Sequence, residues 1–154
     1  MKLYRIIFTI IGWLAFLYSL ILASHNLIDF FSYFTIQSNL LVVIWFTLSI
    51  FANHNSIIYK PIIRSGLLVY ITVTMLVFFA LLFNAAVGLN FVSSYVLHLF
   101  MPLGYIFDWF IDKPKKKIES KIALSWLIYP IIYCIYTLIR GKIVGWYPYY
   151  FLSP

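Results

Sequence analysis

Five apolar runs divide this chain of 154 residues, and each is long enough to cross a hydrocarbon layer. They cover residues 6–23, 34–52, 66–84, 95–111 and 122–139. A bilayer core about 30 Å thick takes about 20 residues of helix. Lipid offers no partner for backbone N–H and C=O groups, so runs of this length predict transmembrane helices. The composition agrees: 64% of the residues are hydrophobic and 10% charged, against about 45–50% and 25% in soluble domains. Soluble globular enzymes, disordered regulators and charged nucleic-acid binders are excluded. The expected fold is an all-α polytopic membrane bundle of five spans, with residues 1–154 as one integral membrane domain. The stretch after Gly141 is too short, and too rich in Gly and Pro, to add a sixth.

The net charge of +7 then reads as topology rather than as a phosphate-binding surface. Lys2, Arg5, Lys60, Arg64, Lys113, Lys115, Lys116, Lys117 and Lys121 fall on one side of the bilayer; only Arg140 and Lys142 fall on the other. By the positive-inside rule the N-terminus is cytoplasmic and the C-terminus outside. The run Lys113-Pro-Lys-Lys-Lys117 is a stop-transfer anchor against anionic lipid. Lys2 and Arg5 could also open a signal peptide, but the first apolar run exceeds the usual 7–15 residues or so, and no A-x-A site follows it. Aromatic clusters mark the interfaces: Phe30, Phe31, Tyr33, Phe34, Trp146, Tyr147, Tyr149 and Tyr150 outside, Trp109 and Phe110 inside. The single cysteine, Cys134, permits no disulfide or CxxC site within one chain.

Polar residues inside spans are functional candidates because lipid makes them costly. Thr35, Ser38 and Asn39 stand at i, i+3 and i+4 and share one helix face. With the topology above, His98 enters from the same outer side, as do His25, Asp29 and Arg140. Four elements thus bring polar groups to one depth. Pro102 removes the N–H that would bond the His98 carbonyl and predicts a kink there, or else only shapes packing. Asp108 lies about 15 Å deeper at about 1.5 Å per residue; it is expected to pair with a Lys or Arg near the inner face.

Thr35 admits two readings. Thr is an N-cap residue at the start of a helix. The same place suits a hydroxyl nucleophile, since unpaired first-turn N–H groups favour negative charge. Such a nucleophile needs a base, and His98 is the one histidine inside a span. Ser38, Asn39 or nearby backbone N–H groups would hold an oxyanion. Gln37 faces elsewhere on an ideal helix and ranks below them, and Asp29 and Arg140 are candidate partners for orienting His98. A zinc site from His25, His98 and Asp29 is the rival use of these groups, although none has the i, i+4 spacing of a helical zinc motif. No G-x-S-x-G elbow or Gly-rich phosphate loop occurs, and no cofactor is called for. His54, in a polar loop, reads as solvated.

The segments Tyr33-Phe-Thr-Ile-Gln-Ser-Asn-Leu40 and Leu97-His-Leu-Phe-Met-Pro102, the latter followed by Asp108-Trp109, resemble the threonine- and histidine-bearing helices of the androgen-induced membrane hydrolases. Tyr129-Pro130, Arg140-Gly141, Trp146-Tyr-Pro148 and Phe151-Leu152 resemble the ending of that family's small bacterial relatives. The resemblance spans about residues 31–152. It implies an integral membrane enzyme that cleaves fatty acid esters of hydroxy fatty acids, with Thr35 as nucleophile and His98 as general base. The chain is shorter than the animal members, and its substrate need not be theirs. Abundant Ile and Lys with little Ala fit an AT-rich bacterial genome, which points to the plasma (inner) membrane. The expected partner is a membrane lipid or fatty acyl ester entering laterally, not a nucleic acid. A non-catalytic lipid-binding protein or small-solute carrier is the other reading. An enzyme should show an apolar channel ending at Thr35 and His98, a carrier a path to both faces.

Overall fold

A computed structural model describes residues 1–23, 25–83, 90, 92–114 and 119–154. Lys115, Lys116 and Lys117 of the basic anchor, and the end of the third predicted span at residue 84, lie outside the described residues. Helices hold most of the described residues, and no strand occurs among them. In order they are α1 (Lys2–Leu22), α2 (Leu27–Phe31), α3 (Phe34–Phe51), α4 (Pro61–Val77), α5 (Met101–Ile111), α6 (Ser120–Ser125) and α7 (Ile128–Val144). Two π-helical segments intervene: Phe78–Leu82 continues α4, and Val92–Phe100 leads into α5. Five helices are long and apolar enough to cross a membrane: Lys2–Leu22, Phe34–Phe51, Pro61–Leu82, Ser94–Ile111 and Lys121–Val144. The chain is an all-α polytopic bundle.

Three boundaries differ from the sequence expectation. The first helix takes in Lys2 and Arg5, and the third begins at Pro61 rather than at residue 66. Proline suits the first helical position, where its missing N–H would be unpaired anyway. The fifth runs on through Arg140 and Lys142 to Val144, where Gly145 ends it in the left-handed conformation at φ 69°. Gly141, within this helix, leaves room for a ring: a Cβ there would lie 2.1 Å from Tyr147 Cε1.

The packing centre lies where α1, α3, α4 and α5 meet. Val42, Phe46, Ile71, Met101 and Tyr105 are wholly buried there. Gly104 lets α5 approach α1 so closely that a Cβ would sit 1.9 Å from Phe8 Cε1. In contrast, Ile128, Ile131, Ile132, Ile135, Leu138, Ile139 and Ile143 of α7 are exposed, as a lipid-facing helix requires.

At the end of the bundle where α1 and α4 begin, Arg5 and Arg64 are buried, not loop charges. Arg5 Nε donates to Asp108 Oδ1 at 2.7 Å and Nη2 to Asp112 Oδ2 at 2.6 Å, while Arg64 Nη2 donates to Asp108 Oδ2 at 2.9 Å. Both guanidiniums lie 5.1 Å from the Trp45 ring centroid. Asp108 thus finds the basic partners expected of it, and the carboxylates and guanidiniums balance in charge. Lys2, Lys60, Lys113 and Lys121 remain exposed.

Candidate functional site

The site is built on the start of α3. Its N-cap is Tyr33, and that cap makes no side-chain hydrogen bond. Thr35 therefore lies two positions past the cap, inside the first turn. Its hydroxyl instead leaves the helix: Oγ1 lies 3.1 Å from His98 Nε2 and 3.1 Å from the Tyr149 hydroxyl. The Thr35 backbone N–H donates to the same Tyr149 oxygen at 3.2 Å.

His98 comes from the π-helical segment that precedes Pro102. In a π-helix each N–H reaches five residues back rather than four, which widens the turn. The wide turn gives way to α-helix at Met101. The π-helical segment thus ends at Phe100, two residues before Pro102. Phe78, opening the other π-helical segment, stacks on the imidazole with centroids 4.4 Å apart and planes 22° from parallel. His98 Nδ1 lies 3.2 Å from the Ser94 carbonyl oxygen.

These contacts order the hydrogens. A carbonyl can only accept, so Nδ1 carries the proton, and in the neutral ring Nε2 is left to accept. Thr35 Oγ1–H then donates to Nε2, the Tyr149 O–H donates to Oγ1, and the Tyr149 oxygen accepts the Thr35 N–H. Every hydrogen points one way. The orienting group for His98 is a backbone carbonyl, not a carboxylate.

Asp29 and Arg140 do not orient His98. They pair with each other, Arg140 Nη2 donating to Asp29 Oδ1. Arg140 also lies 5.2 Å from the Trp146 ring centroid, so it clamps the segment that carries Tyr149. Ser38 and Asn39 are buried beneath Thr35. Asn39 Nδ2 donates to the carbonyls of Thr35 and Leu97, at 2.9 Å each. The Ser38 hydroxyl meets Thr74 Oγ1 at 2.7 Å and the Thr35 carbonyl at 3.2 Å. Gln37 bridges elsewhere, donating to the Phe31 carbonyl and accepting from the Tyr129 hydroxyl. These residues support the backbone around Thr35 and do not line its cavities. His25 and His54 are exposed, and among the described residues no cluster of three His, Cys, Asp or Glu could hold a metal ion.

Two cavities flank Thr35. The larger, about 670 Å³, is walled by Ser19, Leu22, Phe30, Ile36, Phe78 and His98 among others. The smaller, about 120 Å³, is walled by Val73, Val77, Pro130, Cys134, Phe151 and Leu152 among others. Thr35, Leu82 and Tyr149 belong to both walls, so the Thr35–Tyr149 contact lies at their partition. The linings are mainly apolar, the larger being in the size range of small-molecule sites, about 300–1,000 Å³. Ser19 adds a buried hydroxyl to the larger wall, with no hydrogen-bond partner among the described residues.

Tyr149 is the residue that sequence reasoning places in the interfacial aromatic belt and not in the site. Residues 146–152 fold back over the start of α3, with Tyr149 stacked on Phe151 at 5.2 Å and edge-on to Tyr33 at 5.5 Å. Burial raises the phenol above its ordinary value of about 10, and its contacts with the Thr35 hydroxyl and with the backbone at Thr35 and Phe34 offset this in part. No family model matches this chain, and neither a curated protein nor a solved structure is detectably similar to it.

Proposed function

We propose that this protein is an intramembrane ester hydrolase, with Thr35 as nucleophile, His98 as general base and a fatty acyl ester of the membrane as substrate. The observation that carries the reading is the 3.1 Å contact from Thr35 Oγ1 to an imidazole nitrogen able to accept its hydrogen, set between two apolar cavities. A threonine hydroxyl is a weak nucleophile until a base takes its proton. Here Oγ1 attacks the ester carbonyl carbon as Nε2 removes the hydroxyl proton. The C=O electron pair moves to oxygen. Collapse expels the alkoxide, which leaves with the proton held on Nε2. Water then adds to the acyl-threonine, giving its proton to Nε2, and the acid departs as Oγ1 recovers that proton.

The resemblance to the androgen-induced membrane hydrolases leads to the same pair, and esters of hydroxy fatty acids are the first substrates to test. The carrier reading has less support: both cavities adjoin Thr35, and neither is walled by the Arg5–Asp108 network at the other end. Location in a bacterial plasma membrane, with the N-terminus inside, belongs to the same proposal.

The test is ester hydrolysis by protein purified in mild detergent, over a panel of acyl esters that includes a fatty acid ester of a hydroxy fatty acid. His98→Ala is expected to lower kcat by about 10²–10⁴-fold, the usual weight of a general base. Thr35→Ala should abolish turnover. Hydrolysis that persists in both variants would refute the assignment. An inert wild type that still binds the esters would favour the carrier.

A further inference from the structure

The nucleophile reading leaves one requirement open, namely what receives the negative charge on the carbonyl oxygen. First-turn backbone N–H groups are the usual answer at a helix start, but here those of Thr35 and the two residues after it are spoken for. The Ile36 and Gln37 N–H groups both go to the Tyr33 carbonyl, at 3.1 and 3.2 Å. The Thr35 N–H goes to Tyr149 at 3.2 Å. Both Asn39 amide hydrogens lie on backbone carbonyls, and Ser38 is held by Thr74 and Thr35. Ser19 lines the larger cavity but is not bonded to Thr35; the donor in contact with the nucleophile is the Tyr149 phenolic hydrogen, which rests on the Thr35 hydroxyl oxygen itself, 3.1 Å away at the partition between the two cavities.

We infer that Tyr149 is a further catalytic residue, the hydrogen-bond donor that stabilises the oxyanion formed when Thr35 attacks. The inference rests on the proposed hydrolase reading and names a group that reading does not require. In the resting site the phenol donates to a lone pair of Oγ1. Once that pair forms the bond to carbon, Oγ1 becomes a poor acceptor, while the adjacent carbonyl oxygen becomes a strong one. The phenolic hydrogen turns to it by rotation about the C–O bond, with no proton transferred. The Thr35 N–H holds the phenol oxygen in place throughout. Burial keeps the phenol protonated across the physiological range, so the donor is present whenever the base is.

A plain structural role is the competing explanation, since Tyr149 also anchors the returning segment through Tyr33 and Phe151. Tyr149→Phe separates the two, because the ring and the partition stay and only the donor is lost. With a panel ester, Tyr149→Phe is expected to lower kcat by about 10²–10³-fold, the cost of losing one oxyanion donor, with KM and the thermal midpoint unchanged. As a second measurement, a difluorotyrosine installed at position 149 retains the ring and has a more acidic phenol. It should restore kcat and move the alkaline limb of the pH profile to lower pH.

If wild-type turnover depends on Thr35 and His98 yet Tyr149→Phe retains kcat within about threefold, this inference is overturned and the hydrolase reading stands. The inference is equally overturned, with the hydrolase reading intact, if kcat falls but the alkaline limb ignores the fluorines. If Thr35→Ala hydrolyses as well as wild type, or no panel ester is cleaved, both fall together.

Discussion

A hydroxyl, an imidazole, a phenol and a backbone amide meet within about one turn of helix, and each contributes a different part of the site. The relay from the Thr35 amide through Tyr149 and Oγ1 to His98 is complete without a carboxylate. Thr35→Ser should therefore keep turnover within about tenfold of wild type while Thr35→Val, equal in shape, abolishes it; kcat for a panel ester checks both. The pH dependence follows from the phenol. A buried Tyr149 has its pKa raised over the unfolded value of about 10, so its protonated, docked form is fully favoured below pH 10. That preference is lost as pH climbs through the folded value. The expected profile is flat near pH 10 and falls only above it, in step with rising protease sensitivity after Gly145. Thr35 and His98 are legible in the sequence because polar groups in apolar runs stand out. Tyr149 is not, since one tyrosine among thirteen looks like every other interfacial ring. The capping reading of Thr35 fails for a local reason: the helix starts at Phe34, with Tyr33 as cap.

Between elements, the bundle is fastened at one end by charge and at the other by a clamp. Asp108 joins α1 to α4 and α5 through Arg5 and Arg64, all three buried to 4% exposure or less. Asp108→Asn would leave two buried guanidiniums to share the one carboxylate of Asp112. Removing one partner of such a group costs about 3–5 kcal/mol, visible as a lowered thermal midpoint in detergent. Gly104→Ala tests the α1–α5 contact. The Phe8 ring must move aside for the new methyl, and overpacking of this kind costs about 1–3 kcal/mol. Arg140→Ala removes the link from Asp29 to Trp146. It should free residues 146–152, lowering kcat and exposing the chain to protease after Gly145, with the five spans intact. The partner type of Asp108 can be read from the sequence, but its identity cannot. Arg5 and Arg64 look like loop charges because apolar counting starts a helix at its first greasy residue, whereas α1 and α4 begin several residues earlier.

For the molecule as a whole, five helices are long and apolar enough to cross a membrane, and five crossings would put the two ends on opposite faces. The number of spans is plain from the sequence because hydrocarbon thickness sets it. With Arg5 and Arg64 withdrawn into the bundle, the basic excess rests on Lys2, Lys60, Lys113, Lys115, Lys116, Lys117 and Lys121 against Arg140 and Lys142. That still favours the same orientation. In a Cys134→Ser background, an impermeant maleimide applied to intact cells should label a cysteine placed at Ser153 and spare one placed at Lys2; the opposite pattern would invert the topology. The contact between the Thr35 amide and Tyr149 reaches across 114 positions of sequence and has a consequence for solvent exchange. First-turn amides have no acceptor within their helix and trade hydrogen for deuterium quickly. The Thr35 amide is held by a segment from the far end of the chain, so its exchange rate measures how often that segment lifts. A lipid that displaces the phenol would accelerate deuterium uptake at this one amide, and occupancy of the site could be followed without a single turnover.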